Sequence, residues 1–433
     1  MASPLQVSTF SVALPDTENI PLGSVPMTGE GWAVDSQPEL NGLALWFEDA
    51  PPLVYFAVDA LYPGPALREA AEAALPGVPP ENLIFAGSHT HAAPMLDPTK
   101  PRLGVPDAAH LAKVVELVKQ GARALLDPAR RQEAHLAAAK GKADHSVNRR
   151  MVKRISLEWP PKFNKFRWAP DFWGLRDEVV TVVKVEDESG RPVAAIWNYA
   201  CHPVMFPFTR TVSTHYIGAV RDRMRSDAGG NIPVLFFQGF SGDIRPLFVA
   251  EPRIPEGPRQ LYRRIRFGPV WRPEDRAERY RDWVASLAER VATIAAKTQT
   301  LRVEGFRAAL IERPRTDFVE PGGAPVSFQA QTLGRQIGIV AVSAEPMVTY
   351  SHQVRKDLGT RFSMPVGCVD NPVGYLPTEK MLLQGGYEGG AFLPHFDLES
   401  LNPDVEDNTR TALRYAIAAV RPRLFAGLSQ RQD

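Results

Sequence analysis

The sequence reads Leu53-Val-Tyr-Phe-Ala-Val-Asp59 and, after an alanine-rich segment, Leu83-Ile-Phe-Ala-Gly87. Each run is short and continuously apolar, which predicts two strands that are buried on both faces. The segment between them favours a helix over residues 66–74, because Pro76-Gly77 would end it. A strand, a helix and a second strand form a β-α-β unit, in which polar residues beyond the strand ends commonly form the functional site.

The same reading extends to the rest of the chain. Further helices are predicted after the capping residue Asp107 and over 277–297, 346–357 and 407–421, and further strands over 180–185, 193–199, 233–237, 301–311 and 336–344. The pair 180–185 and 193–199 is expected to form a hairpin. We therefore expect an α/β (mixed α+β) fold: one large domain spanning 1–433, with mixed β-sheets flanked by helices. An Arg/Pro-rich insertion would occupy 252–276.

Composition excludes several classes of protein. Hydrophobic residues make up 44% of the 433 residues, enough to bury a large core and so to exclude wholesale disorder. A net charge of +1 provides no general attraction for nucleic acid. The sequence contains neither an N-terminal secretion signal nor an apolar run long enough to span a membrane. Two cysteines suit a reducing compartment, so we expect a cytoplasmic protein. From its charge and hydropathy we expect no nucleic-acid partner and no stable membrane insertion.

Two histidines follow the second apolar run directly. In Ser88-His-Thr-His91 they stand two residues apart, and side chains at that spacing point to the same side of an extended segment. Both imidazoles could then face one point in space. The pair therefore predicts a metal or catalytic site, although histidines in a polar loop can also serve only to bond backbone groups.

A third histidine, His202, follows the apolar run 193–199 in the same way. Three histidines at strand ends could supply most of a zinc site. Glu345 lies between an apolar strand and the start of a helix, where it could ligate a metal or interact with the helix dipole. Cys201 is expected to be a small buried packing residue.

Other polar residues have less definite roles. Asp243 could orient a ligand histidine or cap a turn, and the role of Asp59 stays open. Ser241 lacks the Gly-x-Ser-x-Gly context of a serine hydrolase. The basic stretches 148–154 and 259–266 are expected to be solvated or to form a subunit interface. Two tyrosines, Tyr375 and Tyr387, flank a Gly-rich stretch, and their residue types alone assign them no role.

Taken together, these motifs resemble the neutral/alkaline (non-lysosomal) ceramidase family in its N-terminal catalytic domain. Ser88-His-Thr-His-Ala-Ala-Pro94 is similar to the family's Thr-His-Thr-His-Ser-Gly-Pro element, and 198–203 matches the element with its second zinc histidine. Phe237-Gln-Gly-Phe-Ser-Gly-Asp-Ile-Arg-Pro246 is similar to its Gly-Asp segment. The stretch from Tyr375 to Gly389 is similar to its tyrosine motif. The order of the elements also agrees.

The resemblance implies zinc as the cofactor and assigns its ligands, which are His89, His202, Glu345 and Tyr375. It further implies that three residues surround the substrate carbonyl: His91, Arg149 and Tyr387. The implied activity is hydrolysis of a carbon–nitrogen amide bond in a small N-acyl substrate, either ceramide-like or a smaller soluble amide. Ala92-Ala93 departs from the family's Ser-Gly, and the family's C-terminal immunoglobulin-like domain is not expected here. The substrate therefore need not be ceramide itself.

Three alternatives stay open at this stage. One is a zinc-dependent ester or lactone hydrolase with the same site. Another is an amidohydrolase β/α barrel, which also begins with His-x-His at a strand end but needs later ligands, for which His215, His352 and His395 are poorly placed. The third is a non-catalytic binding homologue. The sequence does not determine the number of subunits, so a homo-oligomer is possible.

Overall fold

A computed structural model describes residues 5–23, 33–48, 50–155, 163–208, 210–272 and 276–421. In chain order the strands are β1 (Gln6–Ala13), β2 (Ala33–Val34), β3 (Glu39–Trp46), β4 (Leu53–Val58), β5 (Leu83–Gly87), β6 (Gln132–Glu133), β7 (His135–Lys142), β8 (Ser146–Ile155), β9 (Phe163–Asp171), β10 (Val179–Glu186), β11 (Pro192–Tyr199), β12 (Thr211–Val212), β13 (Val234–Gln238), β14 (Ile244–Pro246), β15 (Gln299–Leu301), β16 (Phe306–Arg313), β17 (Val319–Glu320), β18 (Val326–Leu333), β19 (Ile337–Val342), β20 (Glu345–Pro346), β21 (Phe362–Val366), β22 (Tyr375–Leu376) and β23 (Ser400–Leu401). The α-helices are α1 (Pro65–Ala74), α2 (Ala108–Leu126), α3 (Tyr216–Ala228), α4 (Pro258–Phe267), α5 (Arg276–Ala295), α6 (Val348–Leu358), α7 (Glu379–Gln384) and α8 (Val405–Val420).

Three larger sheets organise these elements. Their strand orders are β5-β4-β3-β1-β6, β13-β11-β10-β7-β15 and β16-β18-β19-β21. Each is mixed, with antiparallel neighbours except for one parallel pair: β4 with β5, β11 with β13, and β19 with β21. The expected mixed α+β class with sheets flanked by helices is therefore confirmed.

The sheets share one apolar core and carry helices on their outer faces. Tyr55, Phe237 and Ile339, one from each sheet, belong to the same buried cluster, and the rings of Tyr55 and Phe237 meet at 5.8 Å. The other faces pack against α1 and α2, against α3 and α5, and against α6 and α8. Because the strands are covered on both faces, they are continuously apolar, as their sequences indicated.

Most predicted elements match the structure. The β4–α1–β5 unit, the β10–β11 hairpin and the helices after Asp107 are all present, and the Asp107 carboxylate caps α2 by accepting a bond of 2.8 Å from the His110 amide. The single strand predicted over 301–311 is wrong, because β15 ends at Leu301 and β16 begins at Phe306. The expected insertion at 252–276 contains α4, whose Arg263 and Arg264 pair with buried Glu251.

The one parallel pair in each of the three larger sheets determines where a site can form. His89 follows β5, His202 follows β11, and Glu345 follows β19. These residues leave three different sheets at the carboxyl ends of neighbouring parallel strands, so they converge at one edge of the shared core. Within the described part of the chain, no helix combines the length and apolar composition that crossing a bilayer requires.

Candidate metal and active site

The first histidine pair lies on a sharp turn instead of an extended segment. His89 has φ of 64°, in the left-handed region, so the expectation of an extended backbone is wrong. The turn is held by the His89 amide, which donates to Ala60 O at 2.9 Å, and by the His91 amide, which donates to Pro203 O at 3.3 Å. The rings of the two residues still come together, with their centroids 5.0 Å apart.

His202 faces His89 across the site. Their Nε2 atoms are 3.0 Å apart, and both side chains are almost fully buried. The Nδ1 atom of His89 lies 3.1 Å from Leu61 O, and that of His202 lies 3.3 Å from Ser241 O. A carbonyl oxygen can only accept, so each Nδ1 carries the proton and each Nε2 of a neutral ring presents a lone pair. Two lone pairs at this distance repel unless a positive charge lies between them.

A buried carboxylate joins the two rings. Glu345 Oε2 lies 3.3 Å from His89 Nε2 and 3.9 Å from His202 Nε2. The other oxygen, Oε1, accepts a hydrogen bond from Tyr62 Oη. Burial alone would raise the pKa of Glu345, but the adjacent His89 ring and the hydroxyls of Tyr62 and Tyr375 lower it below its ordinary value. Glu345 is therefore held as an anion.

Tyr375 is brought to Glu345 by backbone pairing. The short strands β20 and β22 run parallel with Glu345 opposite Tyr375, and the Glu345 amide donates to Gly374 O at 2.7 Å. Burial, followed by the negative charge of Glu345, raises the pKa of Tyr375 well above its ordinary value. The phenol is consequently neutral in the absence of a cation.

His91 completes a triplet of imidazoles. Its ligand nitrogens and those of His89 and His202 lie within 4.8 Å of one another. Burial first, and then the positive charges of His89 and Arg149, lower the pKa of His91 well below its ordinary value, and the same influences lower that of His202. Both rings are therefore neutral at pH 7. His91 Nε2 and Glu345 Oε2 are buried without a hydrogen-bond partner among the described residues, so a further group at the centre would satisfy them.

Arg149 lies beside this centre as part of a buried ion-pair cluster. Its Nε donates to Glu388 Oε1 at 2.6 Å and its Nη2 to Gly242 O at 2.6 Å and Tyr375 Oη at 3.4 Å. Arg150 Nη1 binds the other Glu388 oxygen at 2.5 Å. The expectation that 148–154 forms a solvated or subunit face is therefore wrong for these two arginines, because Glu388 neutralises them in the interior.

Tyr387 forms the wall between the buried centre and the surface. Its ring meets that of Tyr375 at 5.5 Å and stacks on the indole of Trp168 at 6.4 Å. Trp168 is 46% exposed, so this side of the site opens to solvent. Burial raises the pKa of Tyr387 above its ordinary value, which keeps its hydroxyl available as a proton donor in a hydrogen bond.

The two aspartates whose roles were open both have structural partners. Asp243 accepts from Asn148 Nδ2 at 2.9 Å and from the Val348 amide at 2.8 Å, so it anchors β8 and caps the start of α6 instead of orienting a histidine. Asp59 pairs with Arg221 at 2.7 Å. The histidines weighed for an amidohydrolase barrel, His215, His352 and His395, stand outside the described triplet, and the three separate mixed sheets differ from such a barrel.

Sequence reasoning missed two residues that hold the site together. Tyr62 comes shortly after the apolar run 53–58 but belongs to no motif that would mark it as a site residue. Glu388 stands next to Tyr387 in the Gly-rich stretch, where a carboxylate beside a predicted site residue was a usable sign. Neither contact could be foreseen, because Tyr62 meets Glu345, and Glu388 meets Arg149, only across the folded core.

The donor set suits a zinc ion. Imidazole nitrogens and a carboxylate oxygen, which His89, His202 and Glu345 provide, belong to the ligand types of catalytic zinc. The protonated Nδ1 atoms bond to backbone carbonyls, which is the usual support for metal-binding histidines. The buried Glu345 Oε2 that lacks a hydrogen-bond partner is the atom that a metal would satisfy.

Comparison with known proteins adds information about the fold. No protein-family model matches the chain, and no curated protein matches it in sequence. Among solved structures the chain is similar to neutral ceramidase from Pseudomonas aeruginosa, with a TM-score of 0.70 and 14% identity over 96% of this chain and 74% of that one. It is equally similar to a ceramidase complexed with C2, with a TM-score of 0.71 and 14% identity over 96% and 75% of the two chains. The chain therefore has a ceramidase-like fold.

Proposed function

We propose that this protein is a zinc-dependent hydrolase that cleaves the carbon–nitrogen amide bond of an N-acyl substrate. The observation that carries the proposal is the pair of facing Nε2 atoms, 3.0 Å apart, with Glu345 Oε2 beside them. A buried group of this kind needs a cation, and its position at the carboxyl ends of three strands is one at which enzymes commonly act. The ceramidase-like fold supports an amide as the target.

His89, His202, Glu345 and Tyr375 would hold the metal. When bound, zinc supplies a Lewis acid that polarises a carbonyl and lowers the pKa of a water molecule towards about 7. His91 then has a separate role, because its partnerless Nε2 faces the same centre. As a third imidazole in the triplet it could alternatively ligate the ion, and substitution distinguishes the two roles: loss of a ligand lowers zinc content, whereas loss of a proton carrier leaves it intact.

The chain's own residues would perform the remaining tasks. His91 is neutral, so its Nε2 can accept a proton as water attacks the amide carbon and then deliver it to the leaving nitrogen. The Tyr387 hydroxyl would donate a hydrogen bond to the oxygen that becomes negative. Arg149, fixed by Glu388 and Gly242, would orient the substrate carbonyl. These assignments give each polar group around the centre a role in hydrolysis.

Metal analysis is the first test. Wild-type protein, His202→Ala and His352→Ala would be loaded with zinc, dialysed and measured by mass spectrometry. His352 is exposed, and within the described residues its ring bonds to the Arg176 carbonyl, so it is a matched histidine outside the site. We expect about one zinc per chain in wild type and His352→Ala and little in His202→Ala. Wild-type protein that takes up no zinc would refute the proposal and favour a binding protein.

A substrate comparison tests the reaction itself. N-acyl amides and the matching esters of one acyl chain would be offered to the zinc-loaded enzyme and to His91→Ala. Amide cleavage that needs both zinc and His91 supports the proposal. Cleavage of esters alone would replace the amidase assignment with an esterase, since the same centre can attack either carbonyl.

A further inference from the structure

Arg245 lies near the site and contacts two indole rings. It belongs to β14, which pairs with β8 so that Arg245 is opposite Val147, two positions from Arg149. Its guanidinium lies 4.6 Å from the ring centre of Trp168 and 5.4 Å from that of Trp271. The Trp271 indole is held next to Trp168, because its Nε1 donates to the backbone carbonyl oxygen of Trp168 at 3.2 Å. Arg245 therefore lies against two indole rings, which together form an aromatic slot.

This arginine has no acidic partner among the described residues. Its Nε is buried without a hydrogen-bond acceptor. Glu388, a carboxylate whose charge acts on Arg245, already binds Arg149 and Arg150 through both of its oxygens. Burial first, and then the charge of Arg149, lower the pKa of Arg245 to about 9, which shows how poorly its positive charge is compensated. A positive group kept in this state favours an anion from outside the chain.

The slot also adjoins the residues proposed for catalysis. Trp168 contacts Arg245 and also stacks on the ring of Tyr387, so one indole contacts both the guanidinium and the proposed catalytic tyrosine. An anion on Arg245 would therefore be bound close to the bond that the site is proposed to cleave.

We propose that Arg245 binds a carboxylate of the substrate, so that the preferred substrates are amides of the N-acyl amino acid class. This inference rests on the proposed amidase function and specifies its substrate. The planar guanidinium can bond both oxygens of a carboxylate, whereas the indole rings above it can cover the adjoining apolar part of the ligand. A neutral amide of the same length would leave Arg245 unpaired and would bind less well.

The experiment compares two compounds that differ only in charge, N-lauroylglycine and N-lauroylglycinamide. For zinc-loaded wild type, Arg245→Gln, Arg245→Lys and Arg302→Gln, kcat and KM would be measured on both. Arg302 is an 88% exposed arginine and is the matched control. Separately, binding of both compounds would be followed by tryptophan fluorescence, which needs no turnover.

In wild type and Arg302→Gln we expect the acid to be preferred by about 10- to 100-fold in kcat/KM, mainly through KM, as one charge-assisted bond implies. In Arg245→Gln the preference should fall to near one, and in Arg245→Lys part of it should remain. If Arg245 has only a structural role, its substitution lowers kcat/KM for both compounds alike and leaves the ratio of the two values unchanged. That result would overturn the inference.

The kinetic and the binding measurements together distinguish failure of this inference from failure of the proposed function. If neither compound is cleaved but wild type binds the acid more tightly than the amide and Arg245→Gln does not, the carboxylate site stands and the amidase proposal fails for these substrates. If both compounds are cleaved with equal efficiency by wild type, the amidase proposal stands and the carboxylate site is refuted.

Discussion

Replacement of Glu388 by glutamine tests how the site is supported from behind. The Glu388 carboxylate is 2% exposed and carries the only negative charge that directly pairs with Arg149 and Arg150 in the described structure. Glutamine has nearly the same shape and can still accept from one arginine. The substitution therefore removes the charge while keeping the volume of the side chain.

The expected magnitude follows from burial. Removing one partner of a buried ion pair costs about 3–5 kcal/mol, because the remaining charge stays in the interior without compensation. Here two guanidinium groups are left, but the glutamine oxygen retains one of the two bonds. We therefore expect the free energy of unfolding to fall by about 3 kcal/mol, at the lower end of that range. Arg149 should also lose its fixed position, which lowers kcat.

Urea denaturation followed by circular dichroism would measure the free energy of unfolding of wild type, Glu388→Gln and Glu304→Gln. Glu304 is 63% exposed and pairs with exposed Arg302, so its substitution should change stability by less than about 1 kcal/mol. If Glu388→Gln is no less stable than Glu304→Gln, Glu388 does not compensate the charges of Arg149 and Arg150.

Three further results are expected. Tyr387→Phe should lower kcat on the amide substrate by about 10²- to 10³-fold with little change in KM, since one hydrogen-bond donor to the developing oxyanion is lost; steady-state kinetics would show it, and an unchanged kcat would exclude that role. In Gly242→Ala the new Cβ would lie 2.8 Å from the backbone oxygen of Glu345 and would displace this proposed metal ligand. Zinc binding, measured by competitive chelator titration, should weaken by about 10- to 100-fold, as it does when residues that position metal ligands are changed. Gly230→Ala, whose Cβ would have nothing within 4 Å, should bind zinc like wild type. Acid should destabilise the fold partly through Glu388: burial raises its pKa, but Arg149 and Arg150 lower it below 4.5, so its ionised form stabilises the fold above that pH and the stabilisation is lost as pH falls. Unfolding measured against pH should then have a smaller acid slope in Glu388→Gln, and an equal slope would contradict this account.

Much of the framework could be predicted from local patterns. Continuous apolar runs such as Leu83–Gly87 indicate strands covered on both faces, and the parallel pairing of β4 with β5 follows from the helix between them. The candidate residues at strand ends, His89, His202 and Glu345, were visible because a polar residue directly after a buried strand is unusual in composition.

The left-handed turn at His89 was not predictable, because the sequence offers a non-glycine residue where positive φ is uncommon. Its conformation is imposed by two tertiary hydrogen bonds, one to Ala60 O and one to Pro203 O. The local rule that residues two apart share a side therefore gave a wrong backbone for the His-x-His pair, even though the rings do approach each other.

The sequence by itself determined the elements, their order and the chemical types of the residues at the strand ends, since these depend on periodicity and on neighbours along the chain. Only the tertiary structure decided that strands from three sheets end at one place and that Glu388 neutralises two arginines. It also decided that Arg245 contacts two indoles and pairs with no acid in the described part of the chain. Each of these is a contact between residues distant in sequence. Packing of the shared core sets such contacts, and no local pattern records them.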